Sequence, residues 1–344
     1  MTDSFYLLQG LPDGMTQTSP PASEQAREPM PELTGNEPFF MVMNTGSGSQ
    51  DAQEIKDTIA RVMQEANRRH ELMAVDDGSE LIPTAKKALA LAKEQGGVVV
   101  AVGGDGTLNA VSQVVLGSGV PFGILPQGTF NYFGRCYGIS QETEIAARCL
   151  VDAKIQPVNV GLLNDKVFLV NASLGLYPQL LEDREAYKQR FGRSRLVALW
   201  SAMVTLFKAH RQLKVQIDYE GKQRTLRTPT IVVDNNALQL KHMGLDQTDE
   251  LAANHLVAIT SKPLSTFELY GLLLRGLLSR LGEDEHVISF GFQSMTVRLG
   301  RGRKRTKVAM DGEISYMHSP LVFKVAEHQL PLLVARDPEL RETA

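Results

Sequence analysis

The residues best suited to chemistry in this chain lie in four short loops. The first is Gly103-Gly104-Asp105-Gly106-Thr107-Leu108-Asn109, which follows the β-branched run Val98-Val99-Val100-Ala101-Val102 and precedes a helical pattern. Glycines allow positive φ and let a ligand approach the main chain. A helix that starts there offers unpaired N–H groups and the positive end of its dipole, an arrangement that suits phosphate. The spacing is not that of a P-loop, because no Gly-Lys-Ser/Thr follows, nor that of the Gly-x-Gly-x-x-Gly dinucleotide fingerprint. Asp105 can meet a hard cation directly or through water. It can equally close an Asx turn or cap the helix, and the two roles are compatible. A bare strand-to-helix turn that uses glycine for geometry is the competing reading of the loop.

Three further loops carry small or acidic residues. Asn44-Thr45-Gly46-Ser47-Gly48 leaves room for a phosphate and offers hydroxyl and N–H donors, although such segments are also common turns. Pro126-Gln127-Gly128-Thr129-Phe130-Asn131-Tyr132 reads as a glycine turn with Phe130 and Phe133 available to pack it. Met310-Asp311-Gly312-Glu313 sets two carboxylates around a glycine at the end of an expected strand. Alone, Asp-Gly is a hairpin turn. Beside a bound phosphate, one carboxylate can orient an alcohol and take its proton while the other meets phosphate-bound metal.

The elements that must position these loops can be read from periodicity. Strands are expected at Phe39–Met43, Leu72–Val75, Val98–Val102 and Pro121–Pro126, separated by helical spacing over 51–69 and 85–92. That alternation predicts an α/β domain with a doubly wound parallel sheet. Beyond about residue 155 the pattern changes to short strands: two around the Asn164-Asp165 turn, then 213–217, 230–233, 256–259, 294–299 and 321–325. This density predicts a β-sandwich-like second domain, interrupted by helices over roughly 181–209 and 264–281. The expected divisions are a disordered tail at 1–36, a nucleotide-binding domain at 37–155 and a β-rich acceptor domain at 156–326. Residues 327–344 either return to the first domain or remain a mobile tail.

Taken together, the four loops resemble those of the diacylglycerol kinase catalytic-domain family, which includes bacterial lipid kinases and sphingosine kinases and is related to NAD kinases. The resemblance covers about residues 38–326. Gly103–Thr107 matches the family's glycine signature. Asn44–Gly48 is similar to its Asn-Pro-x-Ser-Gly loop, with Thr45 in place of proline. Gly128, Thr129 and Asn131 match its Gly-Thr-Gly-Asn-Asp loop, and Asn131 favours the lipid-kinase branch over NAD kinases. Asp311-Gly312-Glu313 matches its Asp-Gly-Glu. The resemblance implies an NAD kinase/diacylglycerol kinase-like fold with the site between domains. It also implies ATP and Mg2+ as cofactors, and transfer of the γ-phosphate to a lipid hydroxyl, with diacylglycerol or a related lipid as acceptor. ATP would be held by Asn44, Thr45, Gly46, Ser47, Gly48, Gly103, Gly104, Asp105, Gly106, Thr107, Leu108, Asn109, Gly128, Thr129 and Asn131. Glu313 would be the base, with Asp311 in the site and Asp105 toward the metal. The chain departs from the pattern at Ala110, where many relatives have glutamate. Phe130 replaces a glycine and Tyr132 an acidic residue, and neutral Asn254 stands where relatives hold a structural magnesium. Fewer carboxylates weaken a magnesium site. A kinase of the same fold with a soluble acceptor (NAD or a polyol) and a non-catalytic nucleotide-binding module remain the alternatives.

Composition bounds the setting. The chain has 344 residues, 43% of them apolar, and a formal net charge of −3, which argues against a nucleic-acid-coating protein. Cys136 and Cys149 alone give no disulfide framework, so a reducing cytoplasm is expected. No secretory leader or spanning run is read, so contact with a lipid substrate would be peripheral; a homodimer is left open. Two basic clusters are candidates for such contact: Arg184, Lys188, Arg190, Arg193 and Arg195, and Arg301, Arg303, Lys304, Arg305 and Lys307, expected at a hairpin tip beside the cleft. An apolar stripe from Phe267 to Leu281 is a third, with core packing as its ordinary reading.

Overall fold

The computed structural model describes residues 30–47, 52–178, 212–219, 221–263, 268, 271, 275, 280–300 and 304–342. Gly48, the first basic cluster, Arg301, Arg303, most of the apolar stripe and the bulk of the two helices expected over 181–209 and 264–281 lie outside the described residues.

The first sheet contains β1 (Phe39–Asn44), β2 (His70–Val75), β3 (Val98–Gly103), β4 (Phe122–Pro126) and β5 (Ala153–Val158). Its helices are α1 (Ala52–Glu65), α2 (Leu81–Gln95), α3 (Asp105–Val115), α4 (Tyr132–Cys136) and α5 (Thr143–Val151). The strand order is β2-β1-β3-β4, all parallel. β3 and β4 are buried at every position, as continuous apolar strands covered on both faces should be. The chain moves one way from β1 to β2 and the other way from β2 to β3 and β4. Right-handed crossovers therefore put α1 on one face and α2 and α3 on the other. α1 packs with α5, and α2 with α3, as that rule requires.

The second domain is a sandwich of two six-stranded sheets. Its strands are β6 (Gly161–Leu163), β7 (Lys166–Phe168), β8 (Asn171–Gly175), β9 (Leu213–Tyr219), β10 (Lys222–Thr228), β11 (Thr230–Asp234), β12 (Leu256–Ser261), β13 (Val287–Phe292), β14 (Ser294–Leu299), β15 (Arg305–Met310), β16 (Glu313–His318) and β17 (Leu321–Val325). Two short helices, α6 (Ala237–Met243) and α7 (Thr248–Ala252), sit between β11 and β12. One sheet runs β10-β9-β14-β17-β6-β7 and the other β13-β12-β11-β8-β15-β16. Leu174, Ile217, Ile231, Met295, Val297 and Phe323 are among the side chains buried between them. The expected fold class is what the structure displays: a doubly wound, mainly parallel α/β domain followed by a β-rich sandwich.

The chain then crosses back. β18 (Leu330–Ala335) enters the first sheet between β4, to which it is parallel, and β5, to which it is antiparallel. All six of its residues are buried. The first sheet thus extends to Val158 and is completed by a strand from beyond the sandwich.

The chain enters this sheet through a buried ion pair. Arg68 and Glu37 side chains are each 8% exposed and lie 3.4 Å apart. The guanidinium also donates to Val151 O at 2.9 Å and Glu37 O at 3.0 Å, and stands 4.7 Å over the Phe39 ring. Burial lowers the Arg68 pKa, and Glu37 partly offsets this. Removing one partner of such a pair strands the other charge. Arg68→Ala is expected to lower the unfolding free energy by about 3–5 kcal/mol, measured by urea denaturation. Unchanged stability would show that the pair is not a fixed part of the fold.

Candidate functional site

Parallel strands deliver their C-terminal ends to one edge, and the order β2-β1-β3-β4 reverses direction between β1 and β3. Ligands of open α/β sheets bind at that crevice. The loops after β1, β3 and β4 all emerge there. They are the three glycine-bearing loops found in the sequence.

Hydrogen bonds and close backbone contacts tie these loops together. The Asn44 amide donates to Thr107 Oγ1 at 3.3 Å, and its Oδ1 accepts from Gly46 N at 3.0 Å. Thr45 Oγ1 donates to Val75 O at 3.0 Å and also contacts Asp76. Gln127 N donates to Gly103 O at 2.9 Å. Gly104 and Gly128 touch backbone to backbone: a Cβ built on Gly128 would lie 2.9 Å from Gly104 Cα. Glycine is required here by space, since neither main chain can yield.

Some predicted ligand-binding side chains are engaged within the fold. Asn131 is 2% exposed and sits in the left-handed region at φ +46°. Its Oδ1 accepts from Gly128 N at 2.9 Å, and its Nδ2 donates to Gly128 O at 2.9 Å and to Gln141. It staples the third loop. Asp105 begins α3, yet its carboxylate turns toward the start of α4, where backbone N–H groups of Phe133, Tyr132 and Asn131 pull its pKa down. Burial outweighs them and raises it. Its Oδ1 is buried and has no protein partner. Thr129 is exposed at the rim, and Leu108 is fully buried under α3.

The fourth loop comes from the other domain. Asp311 and Gly312 form the two-residue turn between β15 and β16, with φ of +46° and +88° and Met310 paired to Glu313. Asp-Gly is therefore a hairpin turn, and one that is also brought against α3 of the first domain. The Asp311 carboxylate is enclosed by four donors. Asn109 Nδ2 and Leu169 N reach Oδ2 at 2.7 Å each, while Val170 N and Asn171 N reach Oδ1 at 2.8 and 3.0 Å. Asn109 also donates to Val167 O at 2.8 Å. Asp311 thus binds α3 of the first domain to the β7–β8 segment of the second.

Glu313 stands differently. It is exposed, and its Oε1 is only 2.5 Å from where a Cβ on Gly106 would be. The carboxylate lies over the first turn of α3, in the space the missing side chain leaves. The second basic cluster is not beside this tip. Asp-Gly takes the turn, so Arg305 lies at the far end of β15, paired with His318.

Sequence reasoning stopped short of Asp234, Asn235 and Asn236, which end β11. Asp234 is fully buried, accepts from Asn236 N at 2.7 Å and leaves Oδ2 without a partner. Burial, with nearby Asp311 adding repulsion, raises its pKa well above the usual range. Asn236 caps α6 and donates to Tyr132 O at 3.1 Å, a second bridge between domains. Three consecutive polar residues after the apolar run Ile231-Val232-Val233 were the available signal. Asn254 has φ +63° and a buried Oδ1 without a partner. Among the described residues no group of three His, Cys, Asp or Glu side chains could hold a metal.

Comparison with known proteins agrees with this geometry. Residues 38–163 match the model of the diacylglycerol kinase catalytic domain. The Bacillus subtilis diacylglycerol kinase is 25% identical over 227 residues, 64% of this chain and 72% of that protein. An uncharacterized Synechocystis protein is 26% identical over 253 residues, 71% of this chain but only 57% of its own length. The crystal structure of a Bacillus anthracis diacylglycerol kinase superposes with a TM-score of 0.62 at 16% identity, covering 89% of this chain and 98% of that one. The similarity to the diacylglycerol kinase catalytic domain over residues 38–163 is the one the loops implied.

Burial pushes the Asp311 carboxyl up to about 6 from an ordinary 3.8, against the pull of its donors. A folded-state pKa raised in this way means that the native chain holds a proton the unfolded chain has lost between those values. The group's contribution to stability therefore falls as pH rises through that window. The stability difference between wild type and Asp311→Asn is expected to shrink by about 2 kcal/mol from pH 4.5 to 7, read by thermal denaturation. A difference that grows over this range would contradict the raised value.

Proposed function

We propose that this chain is an ATP-dependent kinase that transfers the γ-phosphate to a lipid hydroxyl, with diacylglycerol or a related neutral lipid as acceptor. The observation that carries the reading is Glu313, delivered by the second domain onto Gly106 at the start of α3. A helix N-terminus lined by glycine favours phosphate, and a carboxylate that reaches it from the opposite wall can take a proton from an acceptor alcohol.

The roles divide by availability. Backbone N–H groups of Gly104–Thr107 and the loops at Gly46 and Gly128 would surround the triphosphate. Glu313 would accept the proton as the alcohol oxygen bonds to the γ-phosphorus and the bond to the β-phosphate oxygen breaks, leaving ADP. Asp311, with every carboxylate oxygen already bonded, would position Asn109 and the turn that presents Glu313. A magnesium ion carried in with ATP would offset phosphate charge. The fitting oxygen donor is the unpartnered Oδ1 of Asp105. No helix among the described residues is long and apolar enough to cross a membrane. In this reading the kinase works in the cytoplasm, where ATP is supplied, and meets its lipid at the bilayer surface.

The test is labelled ATP with mixed-lipid vesicles and, separately, soluble polyols and NAD. A labelled lipid is expected with wild type. Glu313→Gln should reduce its formation by roughly 10²–10⁴-fold while still binding ATP. Label in NAD or a polyol with none in lipid would overturn the acceptor class. An undiminished rate for Glu313→Gln would remove the assigned base. Gly128→Ala, whose Cβ would press on Gly104, is expected to weaken ATP binding at least tenfold by calorimetry. Unchanged affinity would place the triphosphate away from these loops.

A further inference from the structure

The β15–β16 hairpin has two unlike faces. Directly opposed residues of an antiparallel pair share a face, and the register pairs Arg305 with His318, Lys307 with Tyr316 and Ala309 with Ile314. The alternate positions, Val308, Met310 and Met317, pack into the sandwich core. On the other face Ala309 is fully buried, and the rest of the row is Ile314, Tyr316, His318, Arg305 and Lys307. β16 is the end strand of its sheet.

This row does not have the composition of an ordinary solvated strand. Tyr316 is 55% and Ile314 36% exposed, two of the four large apolar side chains so exposed among the described residues. Two cations flank the tyrosine, with the Arg305 guanidinium 4.9 Å and the Lys307 ammonium 5.7 Å from its ring centre. None of the five positions is acidic. An amphipathic ring, an exposed branched aliphatic residue and long cationic stems suit the water–bilayer boundary. There the apolar parts enter the headgroup layer and the charges meet lipid phosphates. Glu313 begins the same strand about 10 Å of backbone rise from Tyr316, with its side chain on the opposite face, paired with Met310.

We propose that the outer face of the β15–β16 hairpin is a docking surface for an anionic bilayer, carried on the same domain that supplies Glu313. The inference takes its partner from the lipid-kinase reading, but vesicle binding can be measured without turnover.

The test is co-sedimentation of the full chain with phosphatidylcholine vesicles containing 30 mol% phosphatidylglycerol, and with pure phosphatidylcholine, at about 0.1 M salt. Wild type and Glu313→Gln are expected to bind the anionic vesicles alike and pure phosphatidylcholine weakly. Arg305→Gln with Lys307→Gln should lower partitioning about 30-fold, at about 1 kcal/mol for each cation. Tyr316→Ser should lower it further. Because a loss of binding can reflect misfolding, Tyr316→Trp supplies a gain of signal: its emission should shift to the blue on vesicles and be quenched by brominated lipid beyond the change wild type shows. Binding unaffected by the Arg305/Lys307 double substitution and by Tyr316→Ser, or Tyr316→Trp emission indifferent to vesicles, overturns the proposal. A blue shift of Tyr316→Trp that follows protein concentration instead of lipid would assign the face to a second copy of the chain. Lipid phosphorylated in detergent micelles while the face variants bind normally would sink this inference and leave the kinase reading standing. Vesicle binding through the face with no lipid labelled would do the reverse.

Discussion

The arrangement of the site depends on one buried carboxylate. Asp311 accepts from Asn109 in the first domain and from three consecutive main-chain N–H groups, Leu169 to Asn171, in the second. An enclosed carboxylate without donors is costly, and one saturated by them resists displacement. The donors can all be satisfied only when α3, the β7–β8 segment and the β15–β16 turn are in register with each other. Asn236, donating across to Tyr132 O, adds a second point of contact. Two fixed points restrict rotation of one domain over the other more than either alone. What that restriction preserves is the placement of Glu313 over Gly106.

The same logic explains why residues that look reactive in the sequence are spent on structure. Asn131 gives its oxygen and its amide to the Gly128 backbone, closing a loop that must lie against Gly104. Asp105 faces the N–H groups that open α4. A loop rich in glycine has a large conformational entropy to lose. Polar side chains that tie it down reduce the disorder a phosphate would otherwise have to remove. Under the kinase reading, rigid backbone donors rather than mobile charged side chains would then make up the phosphate cradle.

Much of this is legible in the residues alone, for identifiable reasons. The parallel sheet shows itself through apolar runs such as Val98–Val102, whose ends coincide with glycine turns. The hairpin at Asp311-Gly312 shows itself through its dipeptide. Long-range closure is not legible. Leu330-Pro331-Leu332-Leu333-Val334 is apolar enough for a strand, but nothing local says that it returns to pair with Ala153–Val158. Asp234 escapes because one acid after an apolar strand resembles any strand end; its significance comes from Asp311, far away in sequence. The direction of Asp105 is equally hidden, since one spacing serves a metal ligand and a cap.

The departures from the family pattern follow from this crowding of acids. Asp105, Asp234 and Asp311 are all held above their ordinary pKa values, chiefly by burial. A further carboxylate at position 132, the residue type the resemblance implies there, would stand near the Asp105 group and raise the cost of ionising both. Tyr132 instead keeps the backbone N–H that faces Asp105 and turns its ring against Phe130, with centroids 6.0 Å apart and planes within 7°. Packing between two aromatic rings replaces charge at the loop. Ala110 on α3 likewise lies against the first core and adds no charge. Under the kinase reading, such a site would have few carboxylates with which to hold a cation by itself, and would rely on the phosphates that bring one in.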